Sequence, residues 1–188
     1  MKRLKLVFIA IVILFSFQKG IAQTSKIDIT KSIINWVGKK ITGQHEGTIN
    51  FKDGYLIFKD KKVTGGSFTA DMKSLSNTDQ KGGSKLKLEG HLKSEDFFGV
   101  ENFSTSTLVF KSVANKGNNT YLINADLTIK GITNSIQFDL VVTNNKATAE
   151  LKINRTKYDI KYGSGSFFDD LGDKTIYDDF ELNVVLVY

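Results

Sequence analysis

The sequence of 188 residues contains no cysteine and no proline. Without cysteine the chain cannot form disulfides, provide thiolates to a zinc ion or carry a lipid on an N-terminal cysteine. Without proline there is no proline-rich linker, and no shift in composition divides the chain. We therefore expect one folded domain after the N-terminal segment, stabilised by burial and backbone pairing.

The N-terminal segment has the order of a secretory signal peptide. Three basic residues precede an apolar run from Leu6 to Phe17, and Gly20 and Ala22 supply the small residues of a cleavage site. About twelve apolar residues form a helix of about 18 Å, which is too short for a hydrocarbon core of about 30 Å, so a retained anchor is the disfavoured alternative. We expect residues 1–22 to be cleaved after Ala22 and residues 23–188 to be periplasmic or secreted, with no stable membrane span.

Much of the positive charge belongs to that segment. Residues 1–22 contain four basic residues and no acidic one, so their removal lowers the formal net charge from +6 to +2. A remainder of mixed sign lacks the concentrated basic face that nucleic-acid binding requires. We expect no nucleic-acid partner.

Apolar and polar residues alternate with period two in three successive segments, as half-buried strands require. Short connections at Lys130–Asn134 and Asn144–Asn145 join these segments, and the second reads as a two-residue hairpin because Asn tolerates positive φ. The apolar faces are Tyr121, Ile123, Ala125, Leu127 and Ile129, then Ile136, Phe138, Leu140 and Val142, then Ala147, Ala149, Leu151 and Ile153.

Further strands are predicted along the rest of the chain, with a tight turn at Lys52–Gly54. Roughly eight to ten strands without alternating helices indicate an all-β sandwich or barrel, and closure into a barrel would leave no exposed strand edge. These further strands are Ile33–Gly38, His45–Phe51, Tyr55–Lys59, Gly66–Leu75, Ser104–Val113 and Asn183–Tyr188.

The alternation breaks between Thr78 and Val100. Leu88, His91 and Leu92 have helical spacing there, and Ser94 is placed to cap a turn that leads into Phe97 and Phe98. We expect a short, partly helical insert that closes one end of the fold as a lid, with hinges at Gly82–Gly83 and Gly99.

Metal and catalytic sites have little support in the sequence. His45 and His91 would need a carboxylate such as Glu46, Glu89 or Asp96 to complete a zinc site, so a structural role for both histidines is favoured. The acidic residues from Asp169 to Asp179 do not have the spacing of an EF-hand and predict a solvated loop. No GxSxG motif marks a nucleophile. We expect no bound metal and no catalytic residue.

Several segments in order along residues 23–188 resemble those of YceI-like proteins. The two most recognisable are Gly90–Val100 and Leu127–Asp139. The others are His45–Phe51, Gly65–Ser74, Asn154–Thr156 and Phe167–Phe180. The resemblance implies an extended, eight-stranded, antiparallel, lipocalin-like barrel that binds a polyisoprenoid, isoprenoid quinone or fatty-acid-like chain in its interior, with no cofactor beyond that ligand. A homodimer is an open alternative to a monomer.

On this barrel, large apolar residues are expected to form the cavity wall, because small inward residues at Gly47, Gly66, Ala70, Ala125, Ala147 and Ala149 would leave a channel. His45, His91 and Phe97 are expected at the lid or mouth. The predicted wall residues are Trp36, Phe51, Phe68, Met72, Phe98, Phe103, Phe110, Tyr121 and Phe138.

Two other functions remain open at this stage. One is an interaction or envelope-stress protein with a solid core, whose signature would be Phe97 and Phe98 exposed on the surface. The other is a hydrolase or isomerase that acts on an amphiphile within the barrel and uses His45 and His91. A carrier that does no chemistry on its ligand is favoured over both.

Overall fold

The computed structural model describes residues 21–188, so residues 1–20, which hold most of the predicted signal peptide, lie outside the described residues. Two short 3-10 turns, Arg155–Tyr158 and Gly172–Lys174, lie between the last two strands. The other elements are β1 (Gln23–Lys26), β2 (Ile33–Lys40), β3 (Gly43–Lys59), β4 (Lys62–Asn77), α1 (Gly82–Lys93), β5 (Thr105–Gly117), β6 (Thr120–Ile129), β7 (Ile132–Val142), β8 (Lys146–Asn154) and β9 (Ile176–Val187).

Strands β2 to β9 form a closed antiparallel barrel. Each pairs with its neighbour in sequence, and β9 pairs with β2 to complete the ring. The short β1 is an additional strand: the start of β3 pairs with β2 and its end pairs with β1. The predicted all-β fold, an eight-stranded lipocalin-like barrel with a short helical insert, is confirmed.

Tight hairpins join the barrel strands at the end opposite α1 and at one corner beside it. Asp60–Lys61, Asn118–Asn119 and Lys130–Gly131 all have positive φ at both residues, which is the backbone of a type I′ turn. The hairpin predicted at Asn144–Asn145 is present, but neither asparagine has positive φ. The sequence therefore located this turn correctly and assigned its backbone wrongly.

The predicted tight turn at Lys52–Gly54 is wrong, because β3 continues through it as one strand. Its pairing with β4 shifts register between Phe51 and Asp53, which bends the strand where its other neighbour changes from β2 to β1. Gly54 permits the bend to pack closely, since a Cβ there would lie 2.6 Å from Cδ1 of Phe68.

The alternation predicted for β6, β7 and β8 is confirmed. In β6 every second residue from Tyr121 to Ile129 is buried, and β7 and β8 bury the predicted face as well. The pairing between β7 and β8 is short and runs only from Leu140–Ala149 to Val142–Ala147. Beyond it, the first 3-10 turn lies beside β7, where the Asn134 side chain donates to the carbonyl oxygen of Lys157 at 2.9 Å.

The predicted insert between β4 and β5 contains α1 and lies at one end of the barrel, here named the helix end. The β2–β3 hairpin and the segment between β8 and β9 lie at the same end. Among residues 21–188, no helix has the length and apolar character needed to cross a membrane.

Candidate functional site

The barrel interior contains a cavity of about 110 Å³, here named the inner cavity. Residues from all eight barrel strands reach it, together with Phe98, and its only hydroxyl-bearing residues are Ser106 and Thr107 at the start of β5. The apolar lining consists of Ile34, Ile49, Phe51, Phe68, Ala70, Met72, Phe98, Leu108, Phe110, Leu127, Ile129, Phe138, Leu140, Ala149, Leu151, Phe180, Leu182, Val184 and Leu186.

A second cavity of about 120 Å³, here named the mouth cavity, lies toward the helix end. Leu88, His91 and Leu92 of α1 form one side of it, which places the predicted helical triplet over the barrel interior. This cavity has more polar residues than the inner cavity. The remaining lining is Trp36, Gly38, Lys39, Lys40, His45, Ile49, Leu75, Phe97, Phe98, Arg155, Ile176, Tyr177, Asp179, Phe180 and Leu182.

The two cavities share part of their walls. Ile49, Phe98, Phe180 and Leu182 line both, and the rings of Phe98 and Phe180 meet edge to face with centroids 6.4 Å apart. These four side chains form the partition between the cavities. A chain that occupied both cavities would have to pass between these side chains.

Helix α1 has no fully buried residue, and polar contacts tie it to the end of β4. The Glu89 carboxylate accepts hydrogen bonds from the Ser76 hydroxyl at 2.9 Å and from the backbone N–H of Asn77 at 2.7 Å. Burial raises the pKa of Glu89, but these bonds and the charge of Lys85 outweigh it and lower the pKa below its usual value. The ionised carboxylate therefore anchors the helix to the end of β4.

The connection from β4 to α1 is held by Asp79. Its carboxylate lies 2.8 Å from Nδ1 of His45 and accepts the backbone N–H of Glu46 at 3.0 Å, as well as the side-chain amide of Asn77. Burial raises the pKa of Asp79, but the bonds from His45, Glu46 and Asn77 outweigh it and hold that pKa at about 2. His45 thus joins the β2–β3 hairpin to the start of the insert.

Arg155 holds the opposite side of the helix end. Its side chain is 2% exposed, and its guanidinium donates to the carbonyl oxygens of Ile160, Ile176 and Tyr177 at 2.8, 3.0 and 3.1 Å. Burial lowers the pKa of the guanidinium, and the charge of Asp178, whose carboxylate lies 3.6 Å away, opposes that change. Burial also raises the pKa of Asp178, but hydrogen bonds from two serines and the charge of Arg155 outweigh it and lower that pKa.

The structure brings most of the predicted wall residues together. Phe51, Phe68, Met72, Phe98, Phe110 and Phe138 line the inner cavity, while Trp36 and again Phe98 line the mouth cavity. The predicted lid or mouth residues His45, His91 and Phe97 all line the mouth cavity. Contact of these residues with a ligand stays a prediction.

Two predicted wall residues lie away from both cavities. Phe103 packs over Gly131 in the β6–β7 turn, where a Cβ on the glycine would lie 3.1 Å from the Phe103 ring. Tyr121 lies in a third pocket of about 450 Å³ at the opposite end of the barrel, beside Phe58 and Tyr188. Phe103 lies before the first residue of β5. Tyr121 faces inward, but it lies at the start of β6, at the end of the barrel opposite α1, and does not reach the inner cavity.

The channel predicted from small residues is only partly present. Ala70 and Ala149 line the inner cavity, whereas Ala125 and Ala147 are fully buried away from it. The space left by Gly47 is filled by the Trp36 ring, and the space left by Gly66 lies against the Phe110 ring. The rings of Trp36 and Phe110 therefore take up the space that side chains at Gly47 and Gly66 would need.

Sequence reasoning missed the contribution of β9. Phe180, Leu182, Val184 and Leu186 face inward with period two and line the inner cavity. The same alternation was present in the sequence, but the preceding acidic residues led us to predict a loop up to residue 182. Asp178 and Asp179 instead belong to β9, and Asp179 pairs with Lys152 at 3.1 Å.

The proposed signature of an interaction protein, exposed Phe97 and Phe98, is absent. Phe97 is 7% exposed and packs against His91, while Phe98 is half-buried in the partition. Within residues 21–188, no three His, Asp or Glu side chains are grouped as metal ligands. Ser106 and Thr107 line the inner cavity and the two histidines line the mouth cavity, so neither of these cavities is lined by both a histidine and a serine or threonine.

Comparison with known proteins gives a family match over nearly all the described residues. The family model described as YceI-like domain matches residues 26–188. A UPF0312 protein of Shewanella denitrificans is 31% identical over 90 residues, which cover 48% of this chain and 45% of that protein. A UPF0312 protein of Staphylococcus aureus strain USA300 is 48% identical over 52 residues, which cover 28% of each chain. The matches thus span less than half the length of these relatives.

Solved structures share the fold at low sequence identity. The structure of Burkholderia cenocepacia BcnA has a TM-score of 0.71 and 22% identity, with 86% of this chain and 99% of that chain covered. A polyisoprenoid binding domain from Saccharophagus degradans has a TM-score of 0.58 and 17% identity, with 86% and 95% covered. At these identities the likeness concerns the fold alone.

Proposed function

The chain belongs to the YceI-like domain family, and from that premise we propose that it is a carrier or scavenger that holds a long apolar chain inside its barrel and does no chemistry on it. The ligand class is a polyisoprenoid, an isoprenoid quinone or a fatty-acid-like chain. The observation that carries the proposal is the pair of adjoining apolar cavities within a closed barrel. The shared fold of the polyisoprenoid binding domain from Saccharophagus degradans supports the same class.

The size and lining of the cavities favour a hydrocarbon. An apolar cavity of about 150 Å³ in another protein stays dry and binds benzene. The inner and mouth cavities, at about 110 and 120 Å³, are each suited to a group of roughly that size. A longer chain would displace the partition rings of Phe98 and Phe180 and join the two volumes. Each methylene transferred from water would contribute about 0.8 kcal/mol to binding.

The arrangement of polar groups favours binding over hydrolysis. A serine or threonine nucleophile needs a base and an orienting acid within hydrogen-bonding reach. His45 is paired with Asp79, but the hydroxyls of Ser106 and Thr107 line a different cavity. A carrier needs no such triad.

The first experiment identifies what the protein holds. Purified protein is examined by native mass spectrometry and by organic extraction, and the stripped protein is then offered geranylgeraniol or oleic acid. Trp36 is the single tryptophan of the chain and lines the mouth cavity, so its emission should change on uptake. A stripped protein that takes up neither probe and retains no apolar molecule from its host would overturn the proposal.

A matched pair of variants on β8 locates the binding site. Ala149→Leu extends a side chain into the inner cavity and should reduce uptake at least tenfold while leaving the fold intact. Glu150→Leu adds a similar side chain to the exposed outer face of the same strand and should leave uptake unchanged. Equal uptake by the two variants would show that the ligand does not occupy the inner cavity.

The proposal includes export to the periplasm or beyond. It is supported by the order of charged, apolar and small residues in residues 1–22. The mass of the protein recovered from a periplasmic fraction or from the medium should correspond to a chain that begins at Gln23. A full-length chain in the membrane fraction would contradict cleavage. The homodimer stays a prediction, to be measured by light scattering.

A further inference from the structure

Two buried nitrogen atoms on the mouth cavity have no hydrogen-bond partner among the described residues. They are Nε1 of Trp36, whose side chain is more than nine-tenths buried, and Nε2 of His91 on α1. Buried polar atoms are normally paired, and leaving one unpaired costs about 1–3 kcal/mol. An unpaired atom that lines a cavity is free to bond with whatever occupies it.

Four of the charged or titratable side chains of this cavity already have partners. Arg155 gives all three of its nitrogens to backbone carbonyls, and the His45 ring is bonded to Asp79. Nζ of Lys39 lies 2.6 Å from Oε1 of Glu181, and Oδ2 of Asp179 lies 3.1 Å from Nζ of Lys152. Of the residues that line this cavity, Trp36 and His91 are the ones with a buried side-chain nitrogen that has no hydrogen-bond partner within residues 21–188.

The chemistry of these two groups defines what they can bind. An indole nitrogen only donates a hydrogen bond, and a neutral imidazole nitrogen can donate or accept. The partner must therefore carry an acceptor oxygen. An anion is disfavoured, because each nitrogen of the Arg155 guanidinium already donates to a backbone carbonyl and a buried carboxylate without a counterion bears a large desolvation cost.

We propose that the mouth cavity is the subsite for the polar end of the ligand and that this end carries an uncharged acceptor oxygen, bound by the indole N–H of Trp36 and the imidazole of His91. The apolar tail of the ligand then extends past the partition into the inner cavity. This inference rests on the carrier function proposed above and adds the orientation and the charge of the ligand. Ligand sites commonly combine an apolar lining with a few placed polar groups in this way.

Three probes with one isoprenoid tail test the proposal by displacement of a fluorescent fatty-chain reporter. One probe ends in a methyl ketone, the second has methylene in place of the carbonyl, and the third ends in a carboxylate. The ketone should bind about threefold to tenfold more tightly than the hydrocarbon, which is the effect of one net hydrogen bond. The carboxylate should bind no more tightly than the ketone.

Trp36→Phe and His91→Phe should each reduce the ratio of ketone to hydrocarbon affinity. Phe110→Leu in the inner cavity is the control, since it should weaken both probes and leave the ratio unchanged. Equal binding of ketone and hydrocarbon to the wild type, or a ratio that neither variant alters, would overturn the proposal. Tighter binding of the carboxylate would also overturn it and would indicate Lys40 at the rim as the anchor. Failure of the wild type to bind any probe would instead count against the carrier function.

A measurement on the unaltered protein avoids any loss of folding in the variants. Because Trp36 is the only tryptophan, a nitrogen-15 spectrum contains one indole N–H resonance. Addition of the ketone should move this resonance downfield, as hydrogen bonding does, and addition of the hydrocarbon should not. The same shift with both probes, or with neither, would contradict the assignment of the indole as donor.

Discussion

The indole ring of Trp36 occupies the space that a side chain at residue 47 would need. Trp36 on β2 and Gly47 on β3 are direct partners across the ladder, and a Cβ on Gly47 would lie 2.6 Å from Cζ2 of Trp36 and 1.9 Å from the carbonyl oxygen of Ser76. The glycine lets the ring lie flat on the backbone of β3. The absence of a side chain at residue 47 thereby determines the position of the Trp36 indole ring at the mouth cavity.

Gly47→Ala should destabilise the protein by about 2 kcal/mol or more, because the new methyl group meets a backbone oxygen that cannot rotate away. Denaturant unfolding measures the loss. Gly90→Ala is the control, since no atom lies within 4 Å of the added methyl group and the residue is inside α1. That variant should gain up to about 1 kcal/mol. Equal stability of the two variants would contradict the close approach at Gly47.

The hydrogen bonds at Asp79 predict a loss of stability in acid. The folded-state pKa of about 2 lies below the ordinary aspartate value of 3.8, so the stabilisation is fully present above about pH 4 and is lost as the pH falls toward 2. Asp79→Asn should cost about 1–2 kcal/mol at pH 7 and less at pH 2, as measured by urea unfolding at several pH values.

Asp53→Asn serves as the control for that pH series. Asp53 is exposed on β3, and no hydrogen bond of its side chain occurs within residues 21–188. Its substitution should leave the acid transition where it is in the wild type. An identical acid transition in Asp79→Asn would show that Asp79 does not contribute to it.

Arg155 is expected to be essential for the helix end. Arg155→Met removes the donor to three backbone carbonyl oxygens and the positive charge beside the Asp178 carboxylate. The free energy of unfolding should therefore fall by more than about 3 kcal/mol. Arg155→Lys should also lose stability, because an ammonium cannot reproduce the geometry of the guanidinium. Lys152→Met removes an exposed ion pair and should cost less than about 1 kcal/mol. A similar cost for both methionine variants would refute a structural role for the buried bonds.

Glu89 should control how readily α1 leaves the barrel. Glu89→Ala removes the acceptor for Ser76 and Asn77, so amides of α1 should exchange with solvent faster and a bound probe should dissociate faster. Glu101→Ala, at a side chain 82% exposed, should change neither rate. If exchange accelerates while probe release stays constant, α1 is not the lid and access lies elsewhere.

Period-two alternation predicted the fold well wherever one face of a strand is buried, as in β6, β7 and β8. It failed where tertiary context outweighs local sequence. The segment Lys52–Gly54 has the composition of a turn, yet it continues β3 because β4 pairs with it, Asp53 opposite Thr69 and Gly54 opposite Phe68. The polar segment Gln23–Lys26 gave no strand signal, and it is held in place by pairing with the end of β3.

The site was harder to predict than the fold. An inward residue lines a cavity only if it lies at the right height in the barrel, and height depends on register shifts that the sequence does not reveal. Tyr121 and Phe138 both face inward, but only Phe138 reaches the inner cavity. The unpaired nitrogen of Trp36 could not be foreseen, because it follows from the packing of this ring on Gly47.

Closure of the barrel separates the circumference of the backbone from the capacity and shape of the interior. Every barrel strand has a neighbour on both sides, so its circumference is set by backbone hydrogen bonds that inward substitutions do not touch. Such substitutions alter the capacity and shape of the interior while the outer cylinder stays the same. A change in the interior therefore requires no change in architecture, and the fold shared with the Burkholderia cenocepacia structure is retained at 22% identity.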